Sequence, residues 1–435
     1  MALPKYKLFD ANVLGSASPY NWLITINGPL SNNVRHMPKS LKVTLAHEFG
    51  HLLHYFTTYL GLSDLLFWAR SLRVLRQDRP AEISPEAHVT EQSRQLIRIA
   101  RQKQILSIDD FYYYEPMRRL HETATNQPNR WKWSESTGGL FNTRGELSDH
   151  RFWCLRFSLL QDNGEAPFLR IPVGMRTILE HMATAIDIIG ERATRSKAEF
   201  ERYLNSTVRS AYVPDMLHYY ALTHRFSSTM SKLYGDGHLP WRFVACAHIV
   251  LLLADIPFDD TLTWRSLRIF AENVDPPLAS HMSYPHPSFV FPLLLRALEL
   301  SQLSLDKLTE PAKFEFNANT MLAAMGLPSL DSILAVRQSR AREVAAELDE
   351  ADPSKTWSKL VSWMAEHEAG LSRAEKLTSP LKGLRERLPV PVYFETSNLT
   401  WEGEIIPFAQ SEILADMYDR SEEMIRYPIA RDIVE

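Results

Sequence analysis

The sequence predicts an α+β fold that is predominantly α-helical and has a small sheet. Two stretches, 41–60 and 175–189, place apolar residues at the 3.6-residue spacing of amphipathic helices. A short segment, NWLITIN at 21–27, has the β-branched and aromatic residues of a strand and runs into the turn signal Gly28-Pro29. Hydrophobic residues make up 45% of the chain and charged residues 23%, a composition typical of packed globular proteins.

The first of these helices follows the predicted strand directly. Ser40 comes after Pro38 and is the expected N-cap residue, because a serine hydroxyl can accept a hydrogen bond from the first turn. Gly61 is the expected stop signal at the other end. We therefore predict one helix from Leu41 to about Leu60.

Two further helices enclose a segment of different composition. One is predicted from Ser84 to Leu106, where Ser-Pro-Glu is a good start signal, and the other from Met175 to Ile189. Between them, residues 112–164 are rich in Trp, Gly, Asn and other polar residues. This composition favours a long insertion or loop region that lies over the fold.

The domain prediction places a boundary near residue 320. Residues 1–320 would form the first domain, including the Trp/Gly-rich insertion. Residues 321–435 would form a mainly helical C-terminal region, with amphipathic helical segments between 330 and 388 followed by an extended segment, LPVPVYFETSNLTWEGEIIPF.

Charge and cysteine content argue against several functional classes. The formal net charge of −4 gives no global attraction to nucleic acid or to an anionic membrane, so neither is an expected partner. Two cysteines in apolar contexts, Cys154 and Cys246, offer no disulfide framework and favour a reducing, cytoplasmic setting. The N-terminal segment lacks the apolar core of a signal peptide, and the most apolar run, 243–254, is too short to cross a bilayer.

The strongest functional signal is the pentapeptide His47-Glu48-Phe49-Gly50-His51 inside the first predicted helix. Residues four apart on a helix lie about 40° apart around its axis, so both histidines can reach one metal ion. Two neutral imidazoles can bind Zn²⁺, and the intervening carboxylate can take a proton from the attacking water. The alternative is an amphipathic helix whose histidines make only ordinary hydrogen bonds.

The HExxH pattern resembles the zinc metallopeptidases called zincins. In that family the HExxH helix follows a sheet whose edge strand binds the substrate backbone. The resemblance covers the strand near Trp22, the helix from Leu41 to Leu60 and one further ligand site. It implies a zincin-like core, with His47 and His51 as zinc ligands and Glu48 as the general base.

A catalytic zinc also needs a third protein ligand and one open coordination position. The stretch around Glu180 resembles the second metal-binding helix of the gluzincin subgroup, with Ala183 and Ala185 as small residues that allow close helix packing. A carboxylate in an otherwise apolar helix also requires a partner. Glu180 is therefore the expected third ligand, with Glu122 and then Asp64 as the alternatives.

Two more residues are expected near the metal without binding it. His54 lies two turns after His47, about 10 Å along the helix axis, which is too far for both to bind one ion. Asp187 follows Glu180 by about two turns on the same helix face and could accept a hydrogen bond from a ligating imidazole.

A tyrosine or histidine often stabilises the oxyanion in zinc-assisted hydrolysis. By residue type alone, Tyr219, Tyr220 and His224 are candidates, and Tyr220 is the one we retain as a catalytic residue. The alternative is that these residues belong to an aromatic core helix.

The leading hypothesis is a cytoplasmic, zinc-dependent metallopeptidase. Zn²⁺ is its predicted cofactor, a protein or peptide its predicted substrate, and a regulatory protein a further candidate partner. The rival hypothesis is an interaction or regulatory protein whose metal site is structural or vestigial. A nucleic-acid-binding module is the third, because arginines recur at 70–79 and 94–101, although such stripes are more often solvated helix faces.

Overall fold

A computed structural model describes the segments 15–18, 23–26, 38–77, 131–141, 147–159, 168–210, 217–234, 239–301 and 317–351, with short pieces at 358–359, 361–362, 377 and 393–396. The helix-rich α+β class is confirmed. The strands are β1 Gly15–Ser18, β2 Leu23–Ile26, β3 Trp131–Phe141, β4 Leu147–Leu159, β5 Phe168–Pro172 and β6 Tyr393–Thr396. The helices are α1 Lys39–Thr57, α2 Tyr59–Gln77, α3 Met175–Thr194, α4 Lys197–Ser210, α5 Leu217–Tyr234, α6 Leu239–Asp255, α7 Thr261–Val274, α8 Pro276–Ala279, α9 Val290–Leu300, α10 Ala318–Ala324 and α11 Leu330–Ala351.

The first sheet has the strand order β1-β2-β6. Strand β2 pairs antiparallel with β1 and parallel with β6, so a strand from the C-terminal part of the chain joins two from the N-terminal part. The predicted strand at 21–27 is confirmed for Leu23–Ile26, and the predicted extended segment for Tyr393–Thr396. Both β1 and β2 contact α1, so this sheet supports the helix that carries the HExxH motif.

The second sheet corrects the loop predicted at 112–164. Within that range, β3 and β4 form an antiparallel pair, and β5 joins β4 on its other side. Gly138 is a strand residue opposite Phe152, and a Cβ atom there would lie 2.2 Å from the phenylalanine ring. The glycine that indicated a loop therefore makes room for an aromatic ring in a strand. The parts of 112–164 outside β3 and β4 lie outside the described residues.

The boundaries of the first helix also differ from the prediction. Helix α1 begins at Lys39 with Pro38 as its N-cap residue, so Ser40 lies inside the helix and does not cap it. It ends at Thr57, before Gly61. Thr58 has extended backbone angles and its hydroxyl accepts a hydrogen bond from the amide of Gly61, so this threonine starts α2.

Gly61 has a packing role inside α2. A Cβ atom at this position would lie 1.9 Å from the backbone oxygen of Tyr55. A backbone atom cannot move aside cheaply, so only glycine fits where α2 turns away from α1.

Helix α3 confirms the helix predicted from Met175 to Ile189 and extends it to Thr194. It packs against α1 in the antiparallel direction: His51 lies near Glu180, and Val43 lies against Gly190 near the other end. The helix predicted from Ser84 to Leu106 lies outside the described residues. Because α3 also contacts α5 and α6, the α1–α3 pair is held on one large hydrophobic core.

Helix α11 packs along α2 through apolar contacts and ion pairs. Arg70 and Arg73 pair with glutamates of α11, namely Glu343, Glu347 and Glu350. These two members of the predicted arginine stripe therefore have carboxylate partners within the protein. The domain boundary near residue 320 stays a prediction.

The apolar run at 243–254 lies in α6, where its residues are buried in the core. Within the part of the chain that the structure describes, no helix has both the length and the apolar character required to cross a membrane.

Candidate metal centre

The two histidines of the HExxH motif project from one side of α1. Their Nε2 atoms lie 3.1 Å apart, and their rings meet edge to face with centroids 4.8 Å apart. The other sides of the helix are apolar: Leu45, Phe49 and Leu52 are almost completely buried. This amphipathic pattern fixes the rotation of α1, and it presents both imidazoles to α3.

Glu180 reaches the two histidines from α3. Its Oε2 atom lies 3.3 Å from Nε2 of His51 and 3.9 Å from Nε2 of His47. For zinc bound tetrahedrally at about 2.1 Å, neighbouring ligand atoms are about 3.4 Å apart. The three atoms therefore have close to the separation of three zinc ligands, although they come from distant parts of the sequence.

The three side chains are partly accessible. Their exposed fractions are 15% for His47, 17% for His51 and 16% for Glu180. A buried structural site needs no such access, whereas a catalytic site must admit water and substrate.

Asp187 holds the first histidine in a defined orientation. It lies two turns beyond Glu180 on α3, and its Oδ2 atom accepts a hydrogen bond of 2.7 Å from Nδ1 of His47. With the proton on Nδ1, the lone pair of Nε2 is available to a metal ion. The hydrogen bond that the sequence predicted for Asp187 is therefore present. Helix α3 supplies both the candidate ligand Glu180 and the carboxylate that orients His47.

The charges around His47 favour a cation. Burial lowers the pKa of His47, but the charge of Asp187 and its hydrogen bond outweigh burial, and the pKa rises from 6.5 to about 10. Glu48 and Glu180 add to this increase. Carboxylates that stabilise an imidazolium at this position would also stabilise a bound dication, which would take the place of the proton.

Glu48 is more deeply placed, with 6% of its surface exposed. Burial raises the pKa of its carboxyl above the ordinary value, while His51 and then His47 lower it. One carboxylate oxygen of Glu48 and one ring nitrogen from each of these histidines all lie within 4.8 Å of one another. Glu48 is thus near enough to act on a water at the metal position, and its raised pKa suits a group that both accepts and donates protons.

Of the two alternatives to Glu180, the structure describes only Asp64. Asp64 is fully buried on α2, where its Oδ2 atom accepts a hydrogen bond from the hydroxyl of Tyr55. Glu122 lies outside the described residues. His54, the histidine expected to lie too far along the helix, has no exposed surface and lies in α1 between buried apolar residues.

The oxyanion candidates lie on α5. Tyr220 is 6% exposed and packs edge-on against Phe243, in a small apolar cluster with Ile188 and Phe200. His224 meets the ring of Phe157 edge to face. These contacts are typical of aromatic core residues, and a catalytic role for Tyr220 stays a prediction. The side chain of Tyr219 lies outside the described part of the structure.

Sequence reasoning gave no role to two glycines at the α1–α3 contact. Gly50 faces Ile186, and Gly190 faces Val43. A glycine in a helix interior is unfavourable without a packing reason, and that rule could have identified both residues.

Comparison with protein-family models, with curated proteins and with solved structures finds no match to this chain. The interpretation of the site therefore depends on the residues and distances described above. Zincin membership stays a prediction from the motif.

Proposed function

We propose that the protein is a zinc-dependent metallopeptidase of the gluzincin type. His47, His51 and Glu180 hold Zn²⁺, and Glu48 is the general base. One observation carries the proposal: a carboxylate from α3 meets both histidines of α1 at 3.3 Å and 3.9 Å, the spacing of ligands around one ion. The HExxH motif alone supplies only two ligands and the base.

The donor set fits zinc. Two imidazole nitrogens and one carboxylate oxygen leave a fourth position for water, which is the arrangement of catalytic zinc sites. Zinc supplies Lewis acidity there, because it lowers the pKa of a coordinated water and polarises a carbonyl group.

The chain's own residues supply the proton transfers. Glu48 accepts the proton from the attacking water and then donates it to the nitrogen of the leaving amine, so one carboxyl group serves as base and then as acid. Burial raises the pKa of the Glu48 carboxyl, so the carboxylate is a better proton acceptor, which favours the first transfer. Asp187 keeps the proton of His47 on Nδ1 and so keeps Nε2 directed at the metal position.

The proposed substrate is a protein or peptide in the cytoplasm. Both cysteines of the chain are free and buried, which supports a reducing compartment. A regulatory protein partner that controls access to the site is part of the same proposal.

Glu48→Gln tests the catalytic role. The amide keeps the size of the side chain but cannot accept the proton, so peptide hydrolysis is expected to fall by about 10²–10⁴-fold while zinc content is unchanged. Cleavage of a mixed peptide library, followed by mass spectrometry, measures the first quantity. Glu201→Gln, an exposed glutamate on α4, is the matched control and should cleave like wild type.

A second candidate function has one observation in its favour. Glu48 lies close enough to the two histidines to act as a fourth ligand, which would close the site and make it structural. The protein would then be an interaction or regulatory protein. Under this alternative Glu48→Gln would lose zinc, and the wild type would cleave no peptide in the library.

A further inference from the structure

The α1–α3 contact contains a glycine on the α1 side. Gly50 lies in the interior of α1, one residue before His51, and is buried. Glycine is the least favourable residue after proline in a helix interior, so its presence requires a local reason. The structure supplies one: a Cβ atom at position 50 would lie 2.4 Å from Cδ1 of Ile186 on α3.

Ile186 is 2% exposed and stands next to Asp187, the residue that binds His47. Ordinary van der Waals contact for a Cβ begins at 3.4 Å, so an alanine at position 50 requires a movement of about 1 Å. Cδ1 is the far end of the isoleucine side chain and can turn about χ2, but χ1 is stiff in a helical isoleucine and the surrounding core is close-packed. Part of the movement therefore falls on α3 itself.

Metal ligation has a much narrower tolerance. Ligand distances hold to about ±0.2 Å, so a shift of α3 of even half an ångström changes the reach of Glu180 to the ion. Asp187 would move with it, and its bond to His47 would lengthen.

We infer that Gly50 is a positioning residue of the metal centre: by leaving room for Ile186, it sets the α1–α3 separation at which Glu180 and Asp187 meet the two histidines. The inference rests on the proposed zinc site. It adds a residue that touches neither metal nor substrate and acts through helix packing.

Gly190 provides a matched comparison on the same interface. A Cβ atom at position 190 would lie 3.1 Å from the nearest atom of Val43, a much smaller overlap. Gly190→Ala is therefore expected to disturb α3 less than Gly50→Ala, although both substitutions replace a helical glycine with a better helix former.

The test measures the zinc dissociation constant by chelator competition, together with the thermal unfolding of metal-free protein. Gly50→Ala is expected to weaken zinc binding by at least about tenfold, the usual range when support of a ligand is lost, and Gly190→Ala by less than about threefold. Ile186→Val removes the clashing Cδ1 atom and leaves the next atom at 3.8 Å. The double variant Gly50→Ala/Ile186→Val should therefore recover wild-type affinity within about threefold.

Several outcomes would overturn the inference. One is a folded Gly50→Ala protein that binds zinc as tightly as wild type. Another is a Gly50→Ala protein whose metal-free form unfolds at a lower temperature while its zinc affinity is unchanged, because packing would then be the only role. If Gly50→Ala does not fold, the Gly50→Ala/Ile186→Val protein provides the test. A folded double variant that binds zinc more weakly than wild type contradicts the inference. A wild-type protein without zinc affinity would instead remove the proposed function itself.

Discussion

Two regions of this molecule bring charged residues together from distant parts of the chain. At the α1–α3 contact, two imidazoles meet the carboxylates of Glu180 and Asp187, with Glu48 beside them. Along α11, arginines meet carboxylates: the buried guanidinium of Arg337 bonds Asp255, and Arg73 pairs with Glu347. The first set consists of metal-ligand types, whereas the second consists of cation–anion pairs.

The difference shows how to distinguish a ligand-binding site from a set of ion pairs that only stabilises the fold. The pairs of α11 balance their charges within the protein, so they need no ligand, and their effect is on stability. In the α1–α3 set burial lowers the pKa of His47, but the nearby carboxylates outweigh it and raise the pKa to about 10, so this position favours positive charge. A metal ion would supply that charge.

Among the ion pairs of α11, the largest expected effect on stability is that of replacing Arg337. The side chains of Arg337 and Asp255 are 5% and 1% exposed, so Arg337→Met would leave a buried carboxylate without its partner. We expect a loss of about 3–5 kcal/mol in the free energy of unfolding in urea, with zinc affinity of the folded protein unchanged. A loss below 1 kcal/mol, or a change in zinc affinity, would contradict the view that the ion pairs of α11 affect stability alone.

The second-largest expected effect is on zinc affinity at the α1–α3 contact. Asp187→Asn removes the charge that orients His47, and zinc binding is expected to weaken about tenfold to a hundredfold. Chelator competition measures it. Glu191→Gln is the matched control, because Glu191 lies one turn further along α3 and pairs with Arg195. Equal affinities in the two variants would contradict the role given to Asp187.

The smallest effect is expected at Arg73. Its side chain is 37% exposed and that of its partner Glu347 is 15% exposed, so solvent reaches the pair from the arginine side and Arg73→Ala should cost about 1 kcal/mol or less. That cost should shrink further in 1 M NaCl, since salt screens exposed charges. Urea unfolding at low and high salt measures both quantities. A salt-independent loss would mean that apolar packing of the arginine stem is responsible.

Local patterns predicted the parts of the molecule that carry the candidate site. The HExxH register indicated which residues of α1 share one helix face, and the carboxylate inside an apolar helix indicated Glu180. The spacing from Glu180 to Asp187 likewise indicated a bond to one of the two imidazoles, and in the structure that imidazole is His47. Helical periodicity is local, so a single segment contains the signal.

Features that depend on tertiary contacts were missed. Gly138 indicated a loop in the sequence, but in β3 it makes room for Phe152. Gly61 indicated a helix end, but the chain turns at Thr58 and the glycine accommodates the carbonyl of Tyr55. Sequence patterns gave no role to Gly50, which in α1 makes room for Ile186. In each case the residue's partner lies elsewhere in the fold, and composition cannot identify it.

The most direct test of the zinc site is metal content by plasma mass spectrometry, on protein purified without added metal. The account predicts about one zinc per wild-type chain, lost in Glu180→Ala and retained in Glu122→Ala, the alternative ligand from the sequence. Wild-type protein that holds no metal even after zinc is supplied would contradict the account. So would zinc that is lost in Glu122→Ala and retained in Glu180→Ala.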